Sequence, residues 1–178
     1  ALAIVAESLS KAQARGQVTA EGVAAATQRL RAASKLAEAV PGHDLIIEAV
    51  VEDVATKQAL FKELDALADP KAILASNTTT IPIETLAAAV SPARRANVIG
   101  IHFQLPAHVN ELVEIVVGEE TSRQTLERAK GYVASLGKTA IVVKSQPGFI
   151  TSRLMISALN HAMHLYESGV PSASADGS

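Results

Sequence analysis

The sequence has no cysteine and no tryptophan, and aromatic residues make up only 3% of it. Without cysteine there is no disulfide, no thiolate nucleophile and no thiolate metal ligand, which fits a reducing compartment such as the cytoplasm. Neither sign of charge dominates: 16 Lys and Arg stand against 18 Asp and Glu, a net charge of −2. That balance gives no electrostatic footprint for nucleic acid or an anionic membrane. No apolar run approaches the roughly 20 residues that a membrane-spanning helix needs. The amino terminus, ALAIVAESLSKAQARGQ, has neither the basic start nor the cleavage site of a signal peptide. It begins without methionine, as though already inside a helix, and the chain is expected to be a piece of a longer protein. What is present suffices for a buried core: 178 residues, 48% of them hydrophobic and 19% charged.

Residues 2–15 and 19–31 read as two helices broken around Gly16, with Thr19 as N-cap and Glu21 in the first turn of the second. HDLIIEAVV (43–51) is a nearly unbroken apolar run, the pattern of a strand covered on both faces. Over 53–68, Leu60, Phe61, Leu64 and Leu67 recur at helical spacing, and Pro70 stops that helix. Further strands are expected at 72–76, 97–103, 111–118 and 139–144. Between them fall a short helix at 82–89, with Pro82 suited to its first turn, and a longer one at 121–136 ending at Gly137. A long amphipathic helix follows at 149–168, and the tail PSASADGS is small, polar and expected to fray. Strands alternating with helices define an α/β fold with a mostly parallel sheet.

In such sheets, ligands bind beyond the carboxyl ends of the strands. Two polar clusters fall on that rim. Ser76, Asn77 and Thr78–Thr80 follow one strand, and His102 ends the next, in IGIHFQLP (99–106). Glu114 then interrupts the apolar run LVEIVV. An imidazole and a carboxylate in such segments are either a satisfied core pair or a base and its orienter. Imidazole accepts a proton near neutral pH, and a carboxylate on its other nitrogen fixes the tautomer and stabilises the imidazolium. The threonine run reads equally as a strand-end turn and cap. Glu52 and Lys57, at a helix start, read by themselves as solvated charges. His161 and His164 share a helix face without a third ligand, so no metal site is expected.

Six segments carry a closer resemblance: DLIIEAVVEDVATKQALFKELD, ILASNTTTIPI, IGIHFQLP, LVEIV, LGKTAIVVKSQPGFITSRL and YESGV. In this order and spacing they closely resemble the L-3-hydroxyacyl-CoA dehydrogenase family, which includes the 3-hydroxybutyryl-CoA dehydrogenases. The resemblance runs from about residue 2 to residue 170. It implies a Rossmann-like NAD-binding domain over 1–145, incomplete at its N-terminus, and the start of a C-terminal helical domain over 146–178. The implied reaction is oxidation of an L-3-hydroxyacyl-CoA to the 3-ketoacyl-CoA with NAD, as in fatty acid metabolism, by a homodimer. Carried over residue by residue, His102 is the catalytic base, Glu114 its acidic partner, and Thr79 a hydroxyl at the reacting oxygen. The resemblance places Glu52, Lys57 and Thr79 at the cofactor. It places Ser8, Arg15 and Thr79 at the coenzyme A thioester, with Arg15 standing where lysine is usual.

The sequence also departs from the family. None of its ten glycines stands in GxGxxG, the loop that seats a pyrophosphate on a helix N-terminus. Thr79 replaces a serine. HFQLP stands for HFFNP, so Leu105 replaces an asparagine; GFITSR stands for GFIVNR, so Ser152 replaces another. These departures keep two other readings in view, a non-catalytic relative of the lens-crystallin kind and an inactive truncated fragment of such a dehydrogenase.

Overall fold

The computed structural model describes residues 2–169, so the polar tail from 171 lies outside the described residues. Two compact units are distinguished, Ala1–Pro41 and Gly42–Ser178. In the first, α1 (Leu2–Ala14), α2 (Ala20–Arg29) and the single turn α3 (Leu36–Ala39) follow one another. Gly16 ends α1 with φ +68°, a conformation that costs glycine little. Thr19 caps α2 as expected, its hydroxyl accepting the Gly22 N–H at 3.1 Å. The turn α3 has no sequence signature, because one turn is too short to show a period.

The second unit is built from β1 (Leu45–Glu48), α4 (Val54–Leu67), β2 (Ile73–Ser76), α5 (Ile83–Ala87), α6 (Pro92–Arg95), β3 (Val98–Phe103), β4 (Leu112–Val117), α7 (Arg123–Ser135), β5 (Thr139–Lys144) and α8 (Thr151–Glu167). Five strands form one sheet in the order β1-β2-β3-β4-β5, parallel except where β3 and β4 run antiparallel. This is the expected α/β, Rossmann-like and mostly parallel sheet. Pro82 stands at the N-cap of α5 rather than within its first turn. Gly137, φ +68°, ends α7 where the sequence places it. Among the described residues no helix is long and apolar enough to cross a membrane.

The expected domain boundary at 145/146 falls inside the second unit. There Glu114 on β4 accepts the N–H groups of Ile150 and Thr151, which fastens the start of α8 to the sheet.

Both sheet faces are covered: Leu74, Val98 and Val116 are buried on one with Phe61, Ile83 and Leu86, and a second cluster fills the other. Ile73, Ala75, Ile99, Ile101, Val113 and Ile115 are buried with Ala129 and Val133 of α7. Each large member contributes about 1.5–3 kcal/mol by leaving water. Side chains alternate along a strand, so Gly100 and His102 point away from this cluster. Gly100 is required there: a Cβ would meet Val116 Cβ at 2.7 Å and Ile83 Cδ1 at 2.9 Å. The sheet therefore fixes the face to which His102 points.

Candidate active site

β3 and β4 pair with His102 directly opposite Glu114, so the two side chains share one sheet face by register alone. Nδ1 of His102 lies 2.8 Å from Glu114 Oε2. An ionised carboxylate only accepts, which assigns the ring proton to Nδ1 and leaves Nε2 with a free lone pair. Nε2 faces the Thr79 hydroxyl at 3.3 Å. The Phe149 ring stands over the imidazole, its centroid 5.7 Å away. Phe149 takes φ +42°, an uncommon conformation for a bulky residue, and is held there in the turn that precedes α8.

Glu114 is 0% exposed but is not orphaned. Its Oε1 accepts the N–H groups of Ile150 at 2.8 Å and Thr151 at 2.9 Å, and Oε2 accepts the Thr151 hydroxyl at 2.6 Å. Gln104 adds its Nε2 at 3.3 Å. Burial by itself raises this carboxyl, but the Thr151 hydroxyl and amide, His102 and the Ile150 amide outweigh it and hold it below its ordinary value. The carboxylate is thus kept charged behind the ring, at the positive end of α8.

The rim is organised by a second acid. Glu52, in the loop after β1, accepts at Oε1 the Thr78 hydroxyl at 2.6 Å and the Thr79 N–H at 2.9 Å. The same oxygen accepts the Thr80 N–H and hydroxyl at 2.9 and 3.0 Å. Partial burial opposes its charge, yet these donors, led by the Thr78 hydroxyl, pull its pKa down from 4.5 to about 2. Lys57 is 1% exposed, with Nζ 2.6 Å from Glu48 Oε1 and 3.4 Å from Glu52 Oε2. Glu48 in turn accepts the Ser76 hydroxyl at 2.7 Å. Lys57 therefore sits under the rim as counter-ion to two carboxylates. Asn77 closes the arrangement, its Oδ1 accepting the Phe103 N–H at 2.9 Å beside His102.

The Glu52 pKa carries a prediction about acid stability. A carboxyl depressed in the folded state stabilises the fold above its unfolded pKa, and that contribution is lost as pH falls through the folded value. For Glu52 the window runs from 4.5 down to about 2. Urea midpoints should fall on acidification through this window, and Glu52→Gln should flatten that fall. A slope unchanged in the variant would remove Glu52 from this role.

The structure thus brings together His102, Glu114, Thr79, Glu52 and, beneath them, Lys57. Ser8, on α1, and Arg15, just past its end, are both exposed and belong to the first unit. Leu105 is 81% exposed, and Ser152 is buried in the first turn of α8. His164 pairs on the surface with Glu167 at 3.5 Å. Three participants were not legible as site residues in the sequence: Glu48, Gln104 and Thr151. Glu48 had a readable signal, an acid closing an apolar strand run on the binding rim. Thr151 and Gln104 had none, because nothing local says that residue 151 returns to β4.

An α/β sheet of mostly parallel strands, with a histidine and an ordered carboxylate at its rim, is the architecture of a nucleotide-binding class of fold. The profile of the family "3-hydroxyacyl-CoA dehydrogenase, NAD binding domain" matches residues 1–146, and the chain belongs to that family. It is 36% identical over 162 residues to a probable 3-hydroxybutyryl-CoA dehydrogenase of Bacillus subtilis, covering 91% of this chain and 55% of the relative. With a 3-hydroxybutyryl-CoA dehydrogenase of Bradyrhizobium diazoefficiens it shares 38% over 169 residues, 95% of this chain and 57% of the relative. The crystal structure of the (S)-3-hydroxybutyryl-CoA dehydrogenase PaaH1 from Ralstonia eutropha superposes with a TM-score of 0.89 at 33% identity, covering 97% of this chain and 60% of that one. The chain spans little more than half the length of the curated relatives it matches.

NAD is the cofactor of this domain family. Glu52 is a fixed, charged acceptor, 37% exposed, one residue contact from Thr79 and two from His102.

Proposed function

We propose that the protein carrying this chain is an NAD-dependent dehydrogenase that oxidises an L-3-hydroxyacyl-CoA to the 3-ketoacyl-CoA. The contact of His102 with Glu114 on one nitrogen and Thr79 on the other carries this reading. When bound, NAD supplies the hydride acceptor. The chain's residues manage the proton. Thr79 donates to the substrate oxygen and holds it against His102 Nε2, which removes its proton as the carbonyl forms. Glu114 stabilises the imidazolium without taking the proton. In the reverse direction the imidazolium returns the proton to the oxygen. Phe149 shields the ring from water on one side.

Glu52 orders the threonine loop and offers its exposed edge to the nicotinamide, with Lys57 contributing through it. The exposed row Ser8 and Arg15 supports a coenzyme A contact on the first unit. Residues 146–178 read as the start of a helical domain. Leu154, Met155, Ile156 and Leu159 are exposed on α8, which supports a homodimer formed through that region. Lack of cysteine fits a cytoplasmic location.

The test is a fluorescence titration of NADH into the purified chain, followed by acetoacetyl-CoA-dependent loss of NADH absorbance. Saturable binding and acetoacetyl-CoA turnover are expected. Binding without turnover of any 3-ketoacyl-CoA would instead favour the non-catalytic relative, and absence of both would overturn the reading for this chain.

A further inference from the structure

The oxygen of Glu114 that faces His102 serves more than His102. Oε2 accepts hydrogen bonds from His102 Nδ1–H at 2.8 Å, the Thr151 hydroxyl at 2.6 Å and Gln104 Nε2 at 3.3 Å. Gln104 Nε2 lies 2.7 Å from the Thr151 hydroxyl, so the two polar side chains are joined to each other. It also lies 3.2 Å from Nδ1, which is already protonated and cannot accept from it. An amide oxygen turned toward the carboxylate would be repelled, which fixes the Nε2 side inward. Thr151 thus receives from Gln104 and gives to Glu114. A hydroxyl that accepts one hydrogen bond donates the next more strongly.

We infer that Gln104 and Thr151 are positioning residues that draw negative charge away from His102 and so lower the proton affinity of its ring. The inference rests on the reading of His102 as the base. Its consequence is for pH: the unprotonated ring that accepts the alcohol proton persists to lower pH, at the cost of a weaker base. The charged group in contact with the ring is Glu114, from β4. The loop after β2 contributes the neutral Thr79, β3 is followed by the neutral Gln104, and the turn before α8 contributes Phe149. Glu52 stands one residue further off, through Thr79.

The experiment is a titration of the His102 ring resonances by NMR in the complete chain without cofactor or substrate, with His102→Ala assigning the signal among the five histidines. Gln104→Met and Thr151→Val keep size and remove the donors. Each should move the His102 midpoint to higher pH, by up to about one unit for Thr151→Val and less for Gln104→Met. Thr151→Ser keeps the hydroxyl and should keep the wild-type midpoint. Unmoved midpoints, movement to lower pH, or an equal shift in Thr151→Ser would each overturn the inference. Should Thr151→Val fail to fold, Gln104→Met carries the test alone. Because the readout needs no turnover, it succeeds or fails independently of the proposed dehydrogenase activity.

Discussion

Replacing His102 with alanine is expected to lower turnover of a 3-hydroxyacyl-CoA by roughly a hundred- to ten-thousandfold, the usual loss when a positioned general base is removed. No substitute stands ready. The Thr79 hydroxyl, 3.3 Å from Nε2, is far too weak a base near neutral pH, and Glu114 lies behind the ring on Nδ1. Glu52 holds four hydrogen bonds on one oxygen and has its pKa pulled down to about 2, so it takes up no proton under assay conditions. The fold should survive. Glu114 retains the Ile150, Thr151 and Gln104 donors and is left neither unpaired nor free to move. NADH binding should persist as well, because the role proposed for His102 is to handle the substrate proton and not the cofactor. Paired measurements of turnover and NADH affinity check this. Turnover within tenfold of wild type would sink the assignment of His102 as base.

Much of this site was legible because two local rules converge on it. A parallel sheet places its binding rim at the carboxyl ends of strands, and that rule selects Ser76 to Thr80 and His102 from the sequence alone. Antiparallel pairing of β3 with β4 then sets Glu114 opposite His102, although the direction of β4 is not written in its own composition. Lys57 shows the limit. Its sequence neighbourhood is a polar helix start, which ordinarily means solvent, but the strand-end acid Glu48 pulls its ammonium inward. The expected boundary near 145 came with the family resemblance; the sequence itself shows only the Pro147–Gly148 turn and the helix after it. The tie from Glu114 to the first turn of α8 spans 36 residues and cannot be read from any local pattern. Gln104 and Thr151 escaped notice for the same reason, since their meeting is a product of that tie.

Glu114→Gln is expected to do more damage than His102→Ala, and of two kinds. The carboxylate has two acceptor oxygens and receives two backbone N–H groups, a hydroxyl, an imidazole N–H and an amide. A glutamine has one acceptor oxygen, so its NH2 must face either the Ile150 and Thr151 amides or the Thr151 hydroxyl and Nδ1–H. Either choice leaves buried donors opposed. A buried donor left without its acceptor costs on the order of 1–3 kcal/mol, and the loss should appear in the urea midpoint. The imidazole also loses the partner that fixes its tautomer and stabilises its charged form, so turnover should fall by roughly a hundredfold or more. The pH dependence separates the two effects. Glu114 is held below its ordinary value, so it stabilises the fold above its unfolded pKa and ceases to as pH falls through the folded one. The Gln variant should lack that acid loss and lie nearest to wild type in the most acidic buffers. A variant as stable as wild type at neutral pH would show that the carboxylate does not anchor α8. A stable variant that also kept its turnover would show that His102 needs no orienting group.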